Sequence, residues 1–82
     1  MPAAWVYLLR CRDGSLYTGW TSDLERRLAA HERGTASRYT RSRRPVELAV
    51  ALAMTDRTAA RREEARIKAL PRAAKLALVA GA

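Results

Sequence analysis

Tyr7, Tyr17, Arg27, His31 and the neighbouring acids Glu63 and Glu64 are the side chains of this 82-residue chain whose types and spacing could do chemistry. A phenol can share a proton, an imidazole can pass one on, a guanidinium holds an anion, and a carboxylate can hold a divalent cation. Arg27 and His31 lie one helical turn apart. With Leu24 at zero and about 100° per residue, Leu28 falls at about 40°, His31 at about −20° and Arg27 at about −60°. The apolar stripe that must cover a sheet therefore carries an arginine and a histidine, while Arg26 and Arg33 fall on the far side. A buried guanidinium without a partner is costly, so Arg27 calls for an anion, either a protein carboxylate or a ligand phosphate. On the later helix, with Ala60 at zero, Ile67 falls at about −20°, Glu63 at about −60° and Glu64 at about 40°. Both acids reach the edge of the apolar face, with a slight preference for Glu63. One carboxylate projecting into a phosphate site would suffice for Mg²⁺, which keeps most of its waters. The plainer alternatives are a histidine satisfied within the core, tyrosines packed in strands, and acids paired with Arg62 or Arg66.

The elements that must position these groups are legible from pattern. Trp5 to Cys11 and Leu16 to Thr21 read as two strands. If Asp13-Gly14 were a two-residue turn, Tyr7 and Tyr17 would lie on opposite faces. A three-residue turn, Arg12-Asp13-Gly14 with Gly14 left-handed, changes the register by one. Tyr7 then faces Gly19, Tyr17 faces Leu9, and the phenols share a face. Gly14 favours this register, and Gly19 would leave open space beside Tyr7 for a ligand. Ser22 and Glu25 fit a capping box for a helix over residues 23–33, which Gly34 stops. Residues 34–45 read as a polar, basic loop and residues 46–54 as a third strand. A second helix is expected over residues 57–70, capped by Thr55 or Asp56. Pro71 ends it and opens a short last helix, which Gly81 closes. The order β-β-α-β-α-α describes an α+β domain, a small three-stranded antiparallel sheet flanked by helices, spanning residues 1–82.

Composition narrows the partners. The chain carries 16 Lys+Arg against 8 Asp+Glu, a net charge of +8 that points to a polyanion, most often nucleic acid. Five arginines (Arg33, Arg38, Arg41, Arg43 and Arg44) fall between positions 33 and 44 without an acid. Tyr39 among them offers a ring for base stacking. Nothing in this segment suggests base-specific readout. Cys11 is the sole cysteine, so an internal disulfide and a zinc site of the usual spacing are both excluded. The longest apolar run, Leu48 to Met54, is too short to cross a bilayer, and no secretion-signal pattern opens the chain. A cytoplasmic protein without membrane association or small-molecule cofactor is expected.

In combination these residues resemble the GIY-YIG nuclease superfamily, in its small stand-alone bacterial branch. Trp5-Val6-Tyr7 stands where the family has Gly-Ile-Tyr, and Tyr17-Thr18-Gly19 where it has Tyr-Ile-Gly. Asp23-Leu24-Glu25-Arg26-Arg27, with His31 four residues beyond, is similar to the first-helix motif. Glu64-Ala65-Arg66-Ile67-Lys68 resembles the stretch with the metal-binding glutamate, and this spacing favours Glu64 over Glu63. Tyr39-Thr40-Arg41 matches a basic segment of the small branch. The resemblance covers residues 5–76, and Trp5 in place of glycine departs from it. It implies a DNA endonuclease, with RNA left open, that depends on Mg²⁺ or Mn²⁺, is structure-selective, and serves DNA repair or recombination. The roles it implies are Tyr7 as the base for the attacking water, Tyr17 orienting water or phosphate, and Arg27 stabilising phosphoryl charge. His31 would bond the phosphate or relay a proton, and Glu64 would hold the metal. The alternative is a non-catalytic nucleic-acid-binding module that retains the fold.

Overall fold

The computed structural model describes residues 2–81. The chain runs β1 (Ala4–Arg10), β2 (Leu16–Thr21), α1 (Leu24–Arg33), α2 (Arg38–Arg41), β3 (Glu47–Met54), α3 (Arg57–Lys68) and α4 (Arg72–Ala80). Its strands form one antiparallel sheet in the order β2-β1-β3. β1 lies at the centre, and Val6, Tyr7, Leu8 and Leu9 are all buried. A strand covered on both faces has no need of polar alternation, which is why this stretch reads as a continuous apolar run.

One face of the sheet holds the core. Ala4, Val6 and Leu8 pack with Val50 and with Ala60 and Ile67 of α3, and Leu70 from the α3–α4 connection and Leu78 and Val79 from α4 close over them. Each large aliphatic side chain buried here contributes about 1.5–3 kcal/mol. The other face carries Tyr7 and Leu9, with Gly19 and Tyr17 opposite them on β2. This face is set by the hairpin. The Cys11 amide bonds the Ser15 carbonyl, and Gly14 takes φ +85° between them, so the turn spans Arg12-Asp13-Gly14 as its glycine requires. Asp13 braces it by accepting from the Ser15 amide and hydroxyl.

Two local expectations give way. Asp23, not Ser22, caps α1, accepting from the Arg26 amide at 3.1 Å. Thr21 Oγ1 accepts from the Asp23 amide and fixes the entry one residue later than the capping box would. Residues 34–45 are also not wholly loop. Ser37 accepts from the Thr40 amide and starts the short helix α2. At the other end of α1, Gly34 adopts φ +79° as anticipated. A Cβ there would come within 2.8 Å of the Arg44 guanidinium, which donates to the Glu32 carbonyl. Gly34 therefore ends the helix and admits a cation to its negative pole.

Candidate active site

The hairpin register places Tyr7 opposite Gly19 and Tyr17 opposite Leu9, so the two phenols share a face. Gly19 does not leave room for a ligand. A Cβ there would lie 2.6 Å from the Tyr7 hydroxyl, so the space is filled by the phenol itself, which leans across the glycine. The hydroxyl reaches α1, where it lies 2.8 Å from Nε2 of His31. Tyr17 packs on the same imidazole edge to face, with ring centroids 5.3 Å apart.

His31 has no exposed surface. Its second nitrogen, Nδ1, lies 2.8 Å from Oγ1 of Thr40, which is buried as fully. Thr40 Oγ1 in turn lies 2.9 Å from the Ser37 hydroxyl. The inward prediction for His31 holds, but contact with a phosphate does not fit its burial. Thr40 and Ser37 had no assigned role in the sequence. Besides the Tyr39-Thr40-Arg41 segment, the signal was a Ser with a Thr three residues later, a helix-start pattern lost among arginines.

Arg27 is half-buried on α1. Its guanidinium lies beside the Tyr7 hydroxyl, close enough to favour the phenolate, yet short of a well-formed hydrogen bond: Nε is buried and has no partner. Glu64, half-buried on α3, is near enough for its charge to oppose the phenolate. Glu63 is engaged elsewhere. It accepts two bonds from Arg66, which hold its carboxyl below the usual range. Of the two acids, Glu64 is the one felt by the phenol, and its own ion partner is Lys68 at 3.7 Å. Tyr7, Tyr17, Arg27 and His31 thus come together from β1, β2 and α1, with Glu64 on α3 near enough for its charge to act on Tyr7.

Electrostatics fix the resting protonation. Burial raises the Tyr7 pKa above 10.0, and the Arg27 cation offsets this only in part. A cation that favours the phenolate is therefore present but outweighed. Burial first and Arg27 second push His31 from 6.5 down to about 4. A neutral phenol and a neutral imidazole face each other at pH 7. Tyr7 has no exposed surface, so water reaches its hydroxyl only when a neighbouring side chain such as half-buried Arg27 or Tyr17 shifts.

Among the described residues no three His, Cys, Asp or Glu side chains cluster as a metal site. A single carboxylate at Glu64 fits one Mg²⁺ or Mn²⁺ that completes its shell with water and substrate oxygens, and does not fit a two-metal site. The buried Nε of Arg27 is a donor without an acceptor, and the partly exposed guanidinium that carries it is suited to a phosphoryl oxygen.

The basic segment divides. Arg43 bonds Asp13 Oδ2 at 3.0 Å and lies 3.8 Å over the Tyr39 ring, and Arg44 donates to the Arg41 and Glu32 carbonyls. Of the five arginines these two are engaged by the protein itself. Tyr39 packs against Tyr17 at 5.7 Å and so buttresses the site, with only 38% of its surface exposed for stacking. Arg33, Arg38 and Arg41 are exposed and line a cleft of about 620 Å³ together with Ser37 and Arg44. No helix among the described residues is long and apolar enough to cross a membrane.

Comparison with known proteins agrees with this fold. A family model described as the GIY-YIG catalytic domain matches residues 3–77. UPF0213 protein XAC3202 of Xanthomonas axonopodis pv. citri is 54% identical over 72 residues, covering 88% of this chain and 71% of that protein. UPF0213 protein OB0043 of Oceanobacillus iheyensis is 51% identical over 75 residues, covering 92% and 87% respectively. The solution NMR structure of UPF0213 protein BH0048 from Bacillus halodurans is similar with a TM-score of 0.62 and 42% identity, covering 94% of this chain and 82% of that one.

Proposed function

The chain belongs to the GIY-YIG nuclease family, and from that premise we propose that it is a metal-dependent DNA endonuclease acting through Tyr7, Tyr17, Arg27, His31 and Glu64. The observation that carries the proposal is the 2.8 Å contact between the Tyr7 hydroxyl and His31 Nε2, beside a guanidinium with a free buried donor. A phenol with a raised pKa is a poor base alone. Coupled to a neutral imidazole, it can take a proton from water while passing its own to Nε2.

The step balances without a net change at Tyr7. A water O–H bond breaks and its proton goes to Tyr7 Oη, the phenol proton goes to His31 Nε2, and the water oxygen bonds to phosphorus. The P–O bond to the leaving nucleoside oxygen then breaks, and that oxygen takes a proton from solvent. Arg27 donates to the phosphoryl oxygens as charge grows on them. Placing an anion on Arg27 also offsets one of the causes that keep the His31 pKa low, so substrate binding itself readies the imidazole to accept. Tyr17, packed on His31, orients the water or the phosphate. Glu64 would hold the Mg²⁺ or Mn²⁺, which supplies Lewis-acid stabilisation of the leaving oxygen.

Backbone-directed arginines without base-reading side chains suit recognition of DNA shape, hence a structure-selective enzyme with a place in repair or recombination in the cytoplasm. The test is incubation with flapped, branched and plain duplexes in Mg²⁺ or Mn²⁺. Cleavage that is lost in Tyr7→Phe and Glu64→Ala, and kept in Glu63→Ala, supports the reading. Binding without cleavage by the wild type would leave a nucleic-acid-binding module that keeps the fold.

A further inference from the structure

The buried chain of polar contacts continues past the residues of the proposed mechanism, and its polarity can be worked out. Tyr7 Oη, His31 Nε2, His31 Nδ1, Thr40 Oγ1 and Ser37 Oγ follow one another at 2.8, 2.8 and 2.9 Å across the three contacts. A neutral imidazole carries one N–H, so the chain can run in either of two directions. If Nε2 carries the hydrogen, it donates to Tyr7, and the phenol proton must find another acceptor. The Tyr7 hydroxyl is fully buried, its one hydrogen bond among the described residues is to His31, and the strongest of its other polar neighbours is the Arg27 guanidinium, which has donors only. That direction sets hydrogen against hydrogen. If Nδ1 carries the hydrogen, Tyr7 donates to Nε2, Nδ1–H donates to Thr40, and the Thr40 hydroxyl donates to Ser37 Oγ. Ser37 Oγ also accepts the Thr40 amide at 3.1 Å, so both of its lone pairs are used. Its own hydrogen faces the arginine-lined cleft, where Ser37 forms part of the wall. Every buried donor from Tyr7 to Thr40 then has an acceptor, and the Ser37 hydrogen is left to solvent in the cleft.

We infer that Thr40, backed by Ser37, is a positioning residue that holds His31 as the Nδ1–H tautomer, with its Nε2 lone pair presented to Tyr7. When His31 accepts the phenol proton, its Nδ1–H already has a partner, so the imidazolium forms without any rearrangement of its far side. A valine at this position keeps the shape and removes the acceptor. A serine keeps the acceptor. The inference rests on the nuclease reading for its kinetic consequence only, since the tautomer is a property of the free protein.

The test is long-range nitrogen-15 NMR of the imidazole in the wild type, Thr40→Val, Thr40→Ser and Ser37→Ala, beside cleavage rates over a range of pH. The expected spectrum shows a protonated Nδ1 and an unprotonated Nε2 in the wild type and Thr40→Ser. In Thr40→Val the hydrogen shifts to Nε2, in whole or in part, and kcat falls by about 10²-fold with KM little changed. Ser37→Ala, which leaves Thr40 in place, shows a smaller shift in the same direction and covers the case in which Thr40→Val does not fold. A wild-type spectrum with the hydrogen on Nε2, or a folded Thr40→Val that keeps both its tautomer and its rate, overturns the inference. A wild type that cleaves nothing overturns the nuclease reading, while the spectrum still decides the tautomer.

Discussion

The Tyr7 hydroxyl and His31 Nε2 face each other at 2.8 Å inside the fold, each without exposed surface. Neither group belongs at such a depth unless the other satisfies it, because an unpaired buried donor or acceptor costs about 1–3 kcal/mol. Tyr7→Phe is therefore expected to destabilise the fold by about that amount, having orphaned Nε2. It should also lower cleavage by about 10²–10⁴-fold through loss of the proton path. Urea unfolding and single-turnover cleavage measure the two effects separately. A stable but inactive variant and an unstable one are then told apart.

Burial and the Arg27 cation together push His31 to about 4 in the fold, against 6.5 for the unperturbed side chain. Between those values the unfolded chain binds a proton that the native state refuses, so stability rises with pH across the window. The contribution is complete above about pH 6.5 and is lost as the pH falls towards 4, amounting to about 3 kcal/mol. Urea midpoints from pH 7 to pH 4.5 should fall in the wild type and stay flatter in His31→Gln. The groups facing His31 are Tyr7, Tyr17, Thr40 and Arg27. Of these only Arg27 is charged here, so Arg27→Met should move the His31 titration upward, as followed by NMR.

How far these relationships could be read from the sequence depended on whether local rules or tertiary contacts decided them. The shared face of the tyrosines followed from one residue, Gly14, whose φ of +85° makes the three-residue turn and so the register. The inward placement of His31 and Arg27 followed from helical periodicity against Leu24 and Leu28, which no partner had to supply. Glu64 was different: the wheel leaned to Glu63, and only the motif spacing favoured the acid that acts on Tyr7. Thr40 was out of reach, because a threonine among arginines is buried only by the docking of α2 on α1. Arg43 and Arg44 are held by Asp13 and by the carbonyls of Arg41 and Glu32, a commitment that charge counting cannot see. The cap at Asp23 shows local rules competing, with the Asp23 side chain accepting the Arg26 amide and Thr21 holding the Asp23 amide, so the helix starts one residue after Ser22 would have placed it.

Gly19→Ala tests the close packing over Tyr7. The new Cβ would stand 2.6 Å from the Tyr7 hydroxyl and 2.7 Å from the carbon that bears it, so the phenol must move off His31. Overpacking of this kind costs about 1–3 kcal/mol. The expected outcome is a folded protein, less stable by that order, in which the edge-to-face shift of His31 by the Tyr7 ring is lost from the NMR spectrum. Cleavage should fall towards the level of Tyr7→Phe. Unchanged stability and rate would mean that the phenol does not need its place above the glycine.

The arginines of residues 33–44 should separate into two groups by salt dependence. Each phosphate contact on duplex DNA contributes a slope of about −0.9 to log K against log salt. If all five arginines reached phosphate, the segment would contribute about −4.5, whereas Arg33, Arg38 and Arg41 alone would contribute about −2.7. Arg43 and Arg44 are held by Asp13 and by the carbonyls of Tyr39, Arg41 and Glu32. Replacing Arg33, Arg38 or Arg41 by alanine should flatten the slope by about 0.9 each and leave the melting temperature nearly unchanged. Replacing Arg43 or Arg44 should lower the melting temperature and alter the slope less, since their charges already serve the loop and the end of α1. Fluorescence anisotropy titrations at several salt concentrations, beside thermal melts of the same variants, measure both quantities. Equal slopes for all five substitutions would show that the internal bonds of Arg43 and Arg44 give way to DNA.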